Sequence, residues 1–182
     1  MTFRAWEGAH PSIRRLAPMK HHILASMLGL AFTSTLVAAP ATHHIPYGPP
    51  IALADARTCA AAAIAEAEKN EWLMVVTVVD AGGHVVLTER MDNTQYGSLL
   101  PALQKAEGAA AFRRPTKVFE DMIAKGGPAM RILTLPGVLP IDGGLPIVRD
   151  GKLIGAVGTS GGTSTEDGIA AAACLAALEN GG

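Results

Sequence analysis

Aromatic side chains are scarce in this chain: four phenylalanines, two tyrosines and two tryptophans among 182 residues. Only Phe112, Phe119, Tyr96 and Trp72 stand where they could line a cavity, which argues against a deep aromatic-walled pocket. Cysteine is nearly absent as well. Cys59 and Cys174 form no CxxC or CxxCH, which removes thiolate zinc sites and covalent c-type haem attachment as motifs. No run of lysine and arginine is long enough to neutralise a row of phosphates, and the net charge is −1, so nucleic acid is not an expected partner. No Ser-His-Asp order is persuasive, and no pair of histidines has the spacing of a zinc motif. Alanine and glycine are plentiful instead, and the chain is 49% hydrophobic against 17% charged, which suits one compact domain whose helices lie close on a sheet.

The amino-terminal end reads as an export signal over residues 1–41. Met19-Lys20-His21-His22 precedes the apolar run Ile23 to Val37, which is shorter than the roughly 20 residues a spanning helix needs. Small residues in Val37-Ala38-Ala39-Pro40-Ala41 allow cleavage after Ala39 or Ala41, leaving an exported periplasmic or extracellular chain with no stable membrane span. Met19 is a possible true start. If Met1 is used, Arg14-Arg15 raises twin-arginine export, although Leu16-Ala17-Pro18 continues it poorly. Residues 42–50 carry three prolines and a glycine and should form an extended arm. Residues 51–182 form the single folded domain.

Within that domain, apolar residues recur at helical spacing from Ala52 to Lys69, with Asn70 as the terminator. Leu73 to Val79 is a buried strand by its β-branched content, and Val85 to Met91 alternates like a second strand. Gly82-Gly83 between them sets a tight reversal and fixes where His84 points. Ser98 to Phe112 is helical until Arg114-Pro115 stops it, and Thr116 caps a shorter helix through Ala124. Gly143 to Val148 and Leu153 to Thr159 flank Asp150-Gly151, the signature of a two-residue type I′ hairpin. Gly155 and Gly158 in the second of these strands point to a bulge or to another group approaching closely. Thr163 and Glu166 have capping-box spacing ahead of an alanine-rich last helix. Tight turns require antiparallel strands, so the fold class is α+β, two hairpins in one sheet flanked by helices in the order α-β-β-α-α-β-β-α. Cys59 and Cys174 lie in the first and last helices. A bridge between them and two buried free thiols both remain open.

Val79-Asp80-Ala81-Gly82-Gly83-His84, Arg90-Met91-Asp92, the Lys105-Ala106 helix ending in Phe112 and Thr116, Gly143-Gly144-x-Pro146, and Gly155-Ala156-x-Gly158-x-Ser160-Gly161-Gly162 with Asp167 resemble the GlcG/HbpS-like family and the C-terminal domain of PduO adenosyltransferases. The resemblance covers Ile51 to Leu178. It implies a profilin-like domain that assembles into homo-oligomers, with haem as the cofactor of several members.

His84 is the sole histidine of the domain, because His43 and His44 fall in the arm. A neutral imidazole serves as an axial iron ligand or a general base; the plainer alternative is a turn residue with a satisfied hydrogen bond. Lys105, on an otherwise apolar helical face with Phe112, could anchor a propionate or a small acid, or snorkel to solvent. Arg90 and Arg113 could grip carboxylates bidentately, or pair with surface acids. Thr116 is a cap or a ligand, and Asp80 an Asx turn or a partner of Lys105. Gly158 to Gly162 could cradle an anion where the last helix begins. The leading expectation is an exported, oligomeric haem- or iron-handling protein, with His84 at the metal and Lys105, Arg90, Arg113, Phe112 and Thr116 around the cofactor. An enzyme acting on a small carboxylate or hydroxy-acid through His84 and Lys105 is the alternative, and an oligomeric assembly module the second.

Overall fold

The computed structural model describes residues 45–180. The expected export signal, Met19, His43 and His44 lie outside them. Element order is α1 (Leu53–Lys69), β1 (Val75–Asp80), β2 (Val85–Arg90), α2 (Leu99–Phe112), α3 (Lys117–Ala124), β3 (Gly144–Arg149), β4 (Lys152–Ser160) and α4 (Ser164–Asn180). This is the α-β-β-α-α-β-β-α order that the periodicity implied. The strands form one antiparallel sheet, β2-β1-β4-β3, in which the two hairpins meet along β1 and β4.

Alternation along the strands feeds two cores. On one face α1 and α4 lie side by side, and Ala56, Cys59, Ala60 and Ala63 pack with Val76, Val78, Ile147, Ile154 and Val157. Cys59 and Cys174 are joined there by a disulfide, which decides between the bridge and the free thiols. On the other face Ala106, Ala109 and Ala110 of α2 pack with Val79, Leu153 and Ala156. Alanine lets α2 settle so low that the sheet must carry glycine beneath it. A Cβ on Gly158 would strike the Ala102 carbonyl and the Ala106 nitrogen, and one on Gly144 would strike the Lys105 carbonyl. The glycines flagged in the sequence therefore mark an approach of backbone to backbone.

Several local expectations hold. Asp150 and Gly151 both take positive φ, as a type I′ turn requires. Glu166 accepts from the Thr163 N–H at 2.7 Å while its own N–H reaches the Thr163 hydroxyl at 3.4 Å, a reciprocal capping box. Others need correction. Thr116 precedes α3 but makes no side-chain cap; its hydroxyl is buried and accepts the Gly144 N–H at 2.9 Å, tying α3 to β3. The stretch after Gly126, for which the periodicity gives no element, winds into a 3-10 helix at Gly127–Thr134 that buries Ile132. The arm is more than a linker: Leu153 donates to the Pro46 carbonyl (2.9 Å), and Gly48 and Ile51 donate to Leu153 and Ile154 (2.7 and 2.8 Å), so it runs along the start of β4.

Candidate functional site

The turn between β1 and β2 is organised by Asp80. One carboxylate oxygen accepts the backbone N–H of Gly82 (2.8 Å) and of His84 (2.9 Å), which is the Asx turn expected, and Gly83 takes the positive φ of +87°. The other oxygen accepts from His84 Nδ1 at 3.3 Å. Burial pushes the Asp80 carboxyl up, but the two backbone donors and the His84 ring outweigh it and hold it below the usual carboxylate value. The imidazole itself stands in solvent, 83% of its side chain exposed. With Nδ1 turned to the carboxylate, Nε2 is directed away, and no partner meets it among the described residues. A carboxylate behind the remote ring nitrogen is how metal-binding histidines are commonly oriented.

Beside this turn lies an open hollow of about 490 Å³ lined by Tyr47, Ala81, Gly82 and Ala111. Three pieces of chain that are distant in sequence build it: the arm, the hairpin turn and the end of α2. The His84 ring lies against one of the lining residues: a Cβ on Gly82 would be 3.0 Å from the imidazole. Another lining residue, Tyr47, is covered by the guanidinium of Arg113. Arg113 ends α2 in the left-handed conformation at φ 51°, unusual without glycine, which swings its guanidinium back over the Tyr47 ring at 5.2 Å. Its Nη1 donates to the Ile45 carbonyl at 2.9 Å, clamping the arm, while its Nε is buried with no partner among the described residues.

None of the six residues expected around a cofactor lines the hollow, although His84 lies against Gly82 and Arg113 against Tyr47, which do. Lys105 is buried, and its Nζ donates to Asp167 Oδ2 at 2.6 Å and to the Thr159 carbonyl at 3.0 Å, so it neither snorkels nor pairs with Asp80. The expectation that Lys105 and His84 face one cavity is thus not met: one is internal, the other stands at an exposed turn. Phe112 packs edge-on against Phe119 at 5.4 Å, joining α2 to α3. Arg90 sits at the far end of β2, donating to the Thr94 carbonyl at 2.9 Å with its guanidinium 4.8 Å from the Tyr96 ring. The glycine turn before α4 already holds an anion of its own: Asp167 accepts the Gly162 N–H at 3.1 Å. Burial raises the Asp167 carboxyl, and the Lys105 ammonium opposes that rise. Sequence reasoning missed Tyr47, which stood in a proline-rich segment read only as a spacer. An aromatic ring within such a segment was the available signal.

Residues 51–176 match the family described as "Haem degrading protein HbpS-like". The chain belongs to the HbpS-like family. Protein GlcG of Escherichia coli (strain K12) is 41% identical over 95 residues, 52% of this chain and 69% of that protein. The corrinoid adenosyltransferase PduO of Salmonella typhimurium (strain LT2) is 33% identical over 136 residues, 72% of this chain but only 40% of the enzyme, so the chain spans well under half of PduO. Among solved structures, the "PduOC:Heme Complex" superposes with a TM-score of 0.65 at 30% identity, covering 70% of this chain and 94% of that one. Streptomyces reticuli HbpS, solved as a double mutant, superposes with a TM-score of 0.66 at 29% identity, covering 78% and 95%. The α+β architecture is therefore the HbpS-like fold.

Proposed function

We propose that this HbpS-like chain is an exported haem-binding protein that works as a homo-oligomer, with the hollow beside the β1–β2 turn as its haem contact. The observation that carries the reading is an imidazole held from behind by Asp80, with Nε2 without a partner among the described residues, lying against Gly82, which lines a hollow of a size suited to a small ligand. The residues fit the group. The walls are the Tyr47 ring, two alanines and a glycine, and the Arg113 guanidinium over Tyr47 places a positive charge near a propionate. Bound haem would supply the iron, which His84 would hold through a ring nitrogen while Arg113 would give counter-charge. The family match and the haem complex of PduOC support this reading. Export is supported by the Cys59–Cys174 disulfide, a bond typical of oxidising compartments. Assembly is supported by exposed apolar side chains, among them Leu100 and Leu133.

Titration with hemin, followed through the Soret band in wild type, His84→Ala and Arg113→Ala, tests the reading. Saturable binding of one haem per chain is expected, lost or at least tenfold weaker in His84→Ala and weakened in Arg113→Ala. Absence of a specific spectrum in wild type, or an unchanged spectrum in His84→Ala, overturns it. The small-acid enzyme is less favoured, because Lys105, which would orient the substrate, is committed to Asp167.

A further inference from the structure

We propose that the 3-10 segment Gly127–Thr134 of one copy docks in a groove between α1 and β2 of the next, a contact that rests on the homo-oligomeric reading above and supplies one of its interfaces. The groove is open and measures about 550 Å³. Ile64, Leu73 and Met91 give it an apolar lining, and Glu68, Glu89 and Asp92 add three carboxylates. None of these carboxylates has an ion-pair or side-chain hydrogen-bond partner among the described residues. Arg90 also lines the groove, but its charge is turned away. Neighbouring residues of a strand point to opposite faces, and Glu89 stands opposite Val76 of the α1-side core, whereas Arg90 stands opposite Val75. Its guanidinium is taken up by the Thr94 carbonyl and the Tyr96 ring.

Charge complementarity selects the occupant. From Met122 to Ile141 the only charged side chains are Lys125 and Arg131, both exposed and without an ion pair among the described residues. Around them Met130, Leu133 and Leu135 are exposed, Leu133 by 57%, while Ile132 is buried and anchors the segment. A run of exposed apolar side chains marks an interaction surface, and two cations among them match an apolar groove that carries three anions. The segment is ordered in advance: the Leu135 N–H donates to the Ile132 carbonyl at 3.0 Å and the Thr134 hydroxyl to the Arg131 carbonyl at 2.7 Å, so docking it adds little ordering cost. A copy cannot fill its own groove. The segment packs on α3, which Thr116 ties to β3, and β3 is the sheet edge opposite β2. The contact therefore joins unlike patches of two copies, head to tail.

Sedimentation velocity of the full chain tests the contact. Glu68→Lys/Asp92→Lys in the groove and Lys125→Glu/Arg131→Glu beside the 3-10 segment each turn attraction into repulsion, and each pair should weaken assembly roughly tenfold or more. An equimolar mixture of the two double variants should reassemble, because each then offers the charge that the other needs. Leu133→Ser should weaken assembly without any change of charge. All four charged positions are exposed, and an unchanged circular-dichroism spectrum establishes that the variants are folded. Assembly of either double variant at wild-type strength, or a mixture that stays dissociated, overturns this interface and leaves the homo-oligomer standing. A wild-type chain that is monomeric at every concentration overturns both. If that monomer binds an unrelated basic, leucine-bearing peptide through Glu68 and Asp92, the occupant of the groove is a foreign segment. Haem binding is read separately through the Soret band of the same variants.

Discussion

Lys105 and Asp167 are two charges in a place where water does not reach, and their mutual contact at 2.6 Å, with the Thr159 carbonyl at 3.0 Å, is what makes burial tolerable. Removing one partner strands the other. Lys105→Met should lower the unfolding free energy by about 3–5 kcal/mol in urea titrations, with Lys105→Met/Asp167→Asn recovering part of the loss. The deficit of the single variant should narrow toward acid pH, as protonation neutralises the abandoned carboxylate. Asp142 gives a different pH response. Burial lifts its carboxyl above the usual range, the Gly143 N–H pulls it down, and nearby Glu120 lifts it again. The native state thus keeps this proton to higher pH than the unfolded chain, so the associated stability is present below the ordinary carboxylate pKa and lost as pH rises through the raised one. Asp142→Asn retains an oxygen for the Gly143 N–H and should flatten that decline when unfolding is followed from about pH 4 to pH 7. At this scale the sequence was partly legible. An ammonium on an apolar helical face marks Lys105 as special, but its partner comes 62 residues later, and no local pattern distinguishes an internal ion pair from a ligand contact.

Among the elements, α2 makes the closest fit. Its alanine face rests on glycines of the sheet, so adding one methyl group at Gly158 forces backbone against backbone rather than shifting a flexible side chain. Gly158→Ala should therefore destabilise by at least about 1–3 kcal/mol, the usual cost of overpacking, seen as a lower melting temperature, whereas Gly97→Ala, which meets nothing within 4 Å, should cost little through contacts. The hairpins and the final helix were readable because their signals are local: Asp150-Gly151 for a type I′ turn, and Thr163 with Glu166 for a cap. The 3-10 segment Gly127–Thr134 was not. Pro128 and its neighbouring glycines do end an α-helix, but they permit a tighter coil whose formation depends on burying Ile132. Thr116 misled for a related reason: a hydroxyl at a helix start normally caps, and here β3 lies close enough to claim it.

For the molecule as a whole, one covalent link ties the first helix to the last across 115 residues. Closing so long a loop restricts the unfolded ensemble, so Cys59→Ala/Cys174→Ala should lose about 4–5 kcal/mol in the chain-entropy picture, measured against oxidised wild type by denaturant unfolding. Mass spectrometry after alkylation under denaturing conditions should find neither thiol free in the oxidised protein. Composition had foreshadowed the architecture, because small residues at helical and strand periods dictate close layers. It could not place the hollow, which lies where arm, turn and helix end converge. That convergence carries a practical corollary. Because residues 45–51 are stitched to β4 and Tyr47 forms one wall of the hollow, a truncation that removed this stretch would strip away that wall together with the cover on the start of β4.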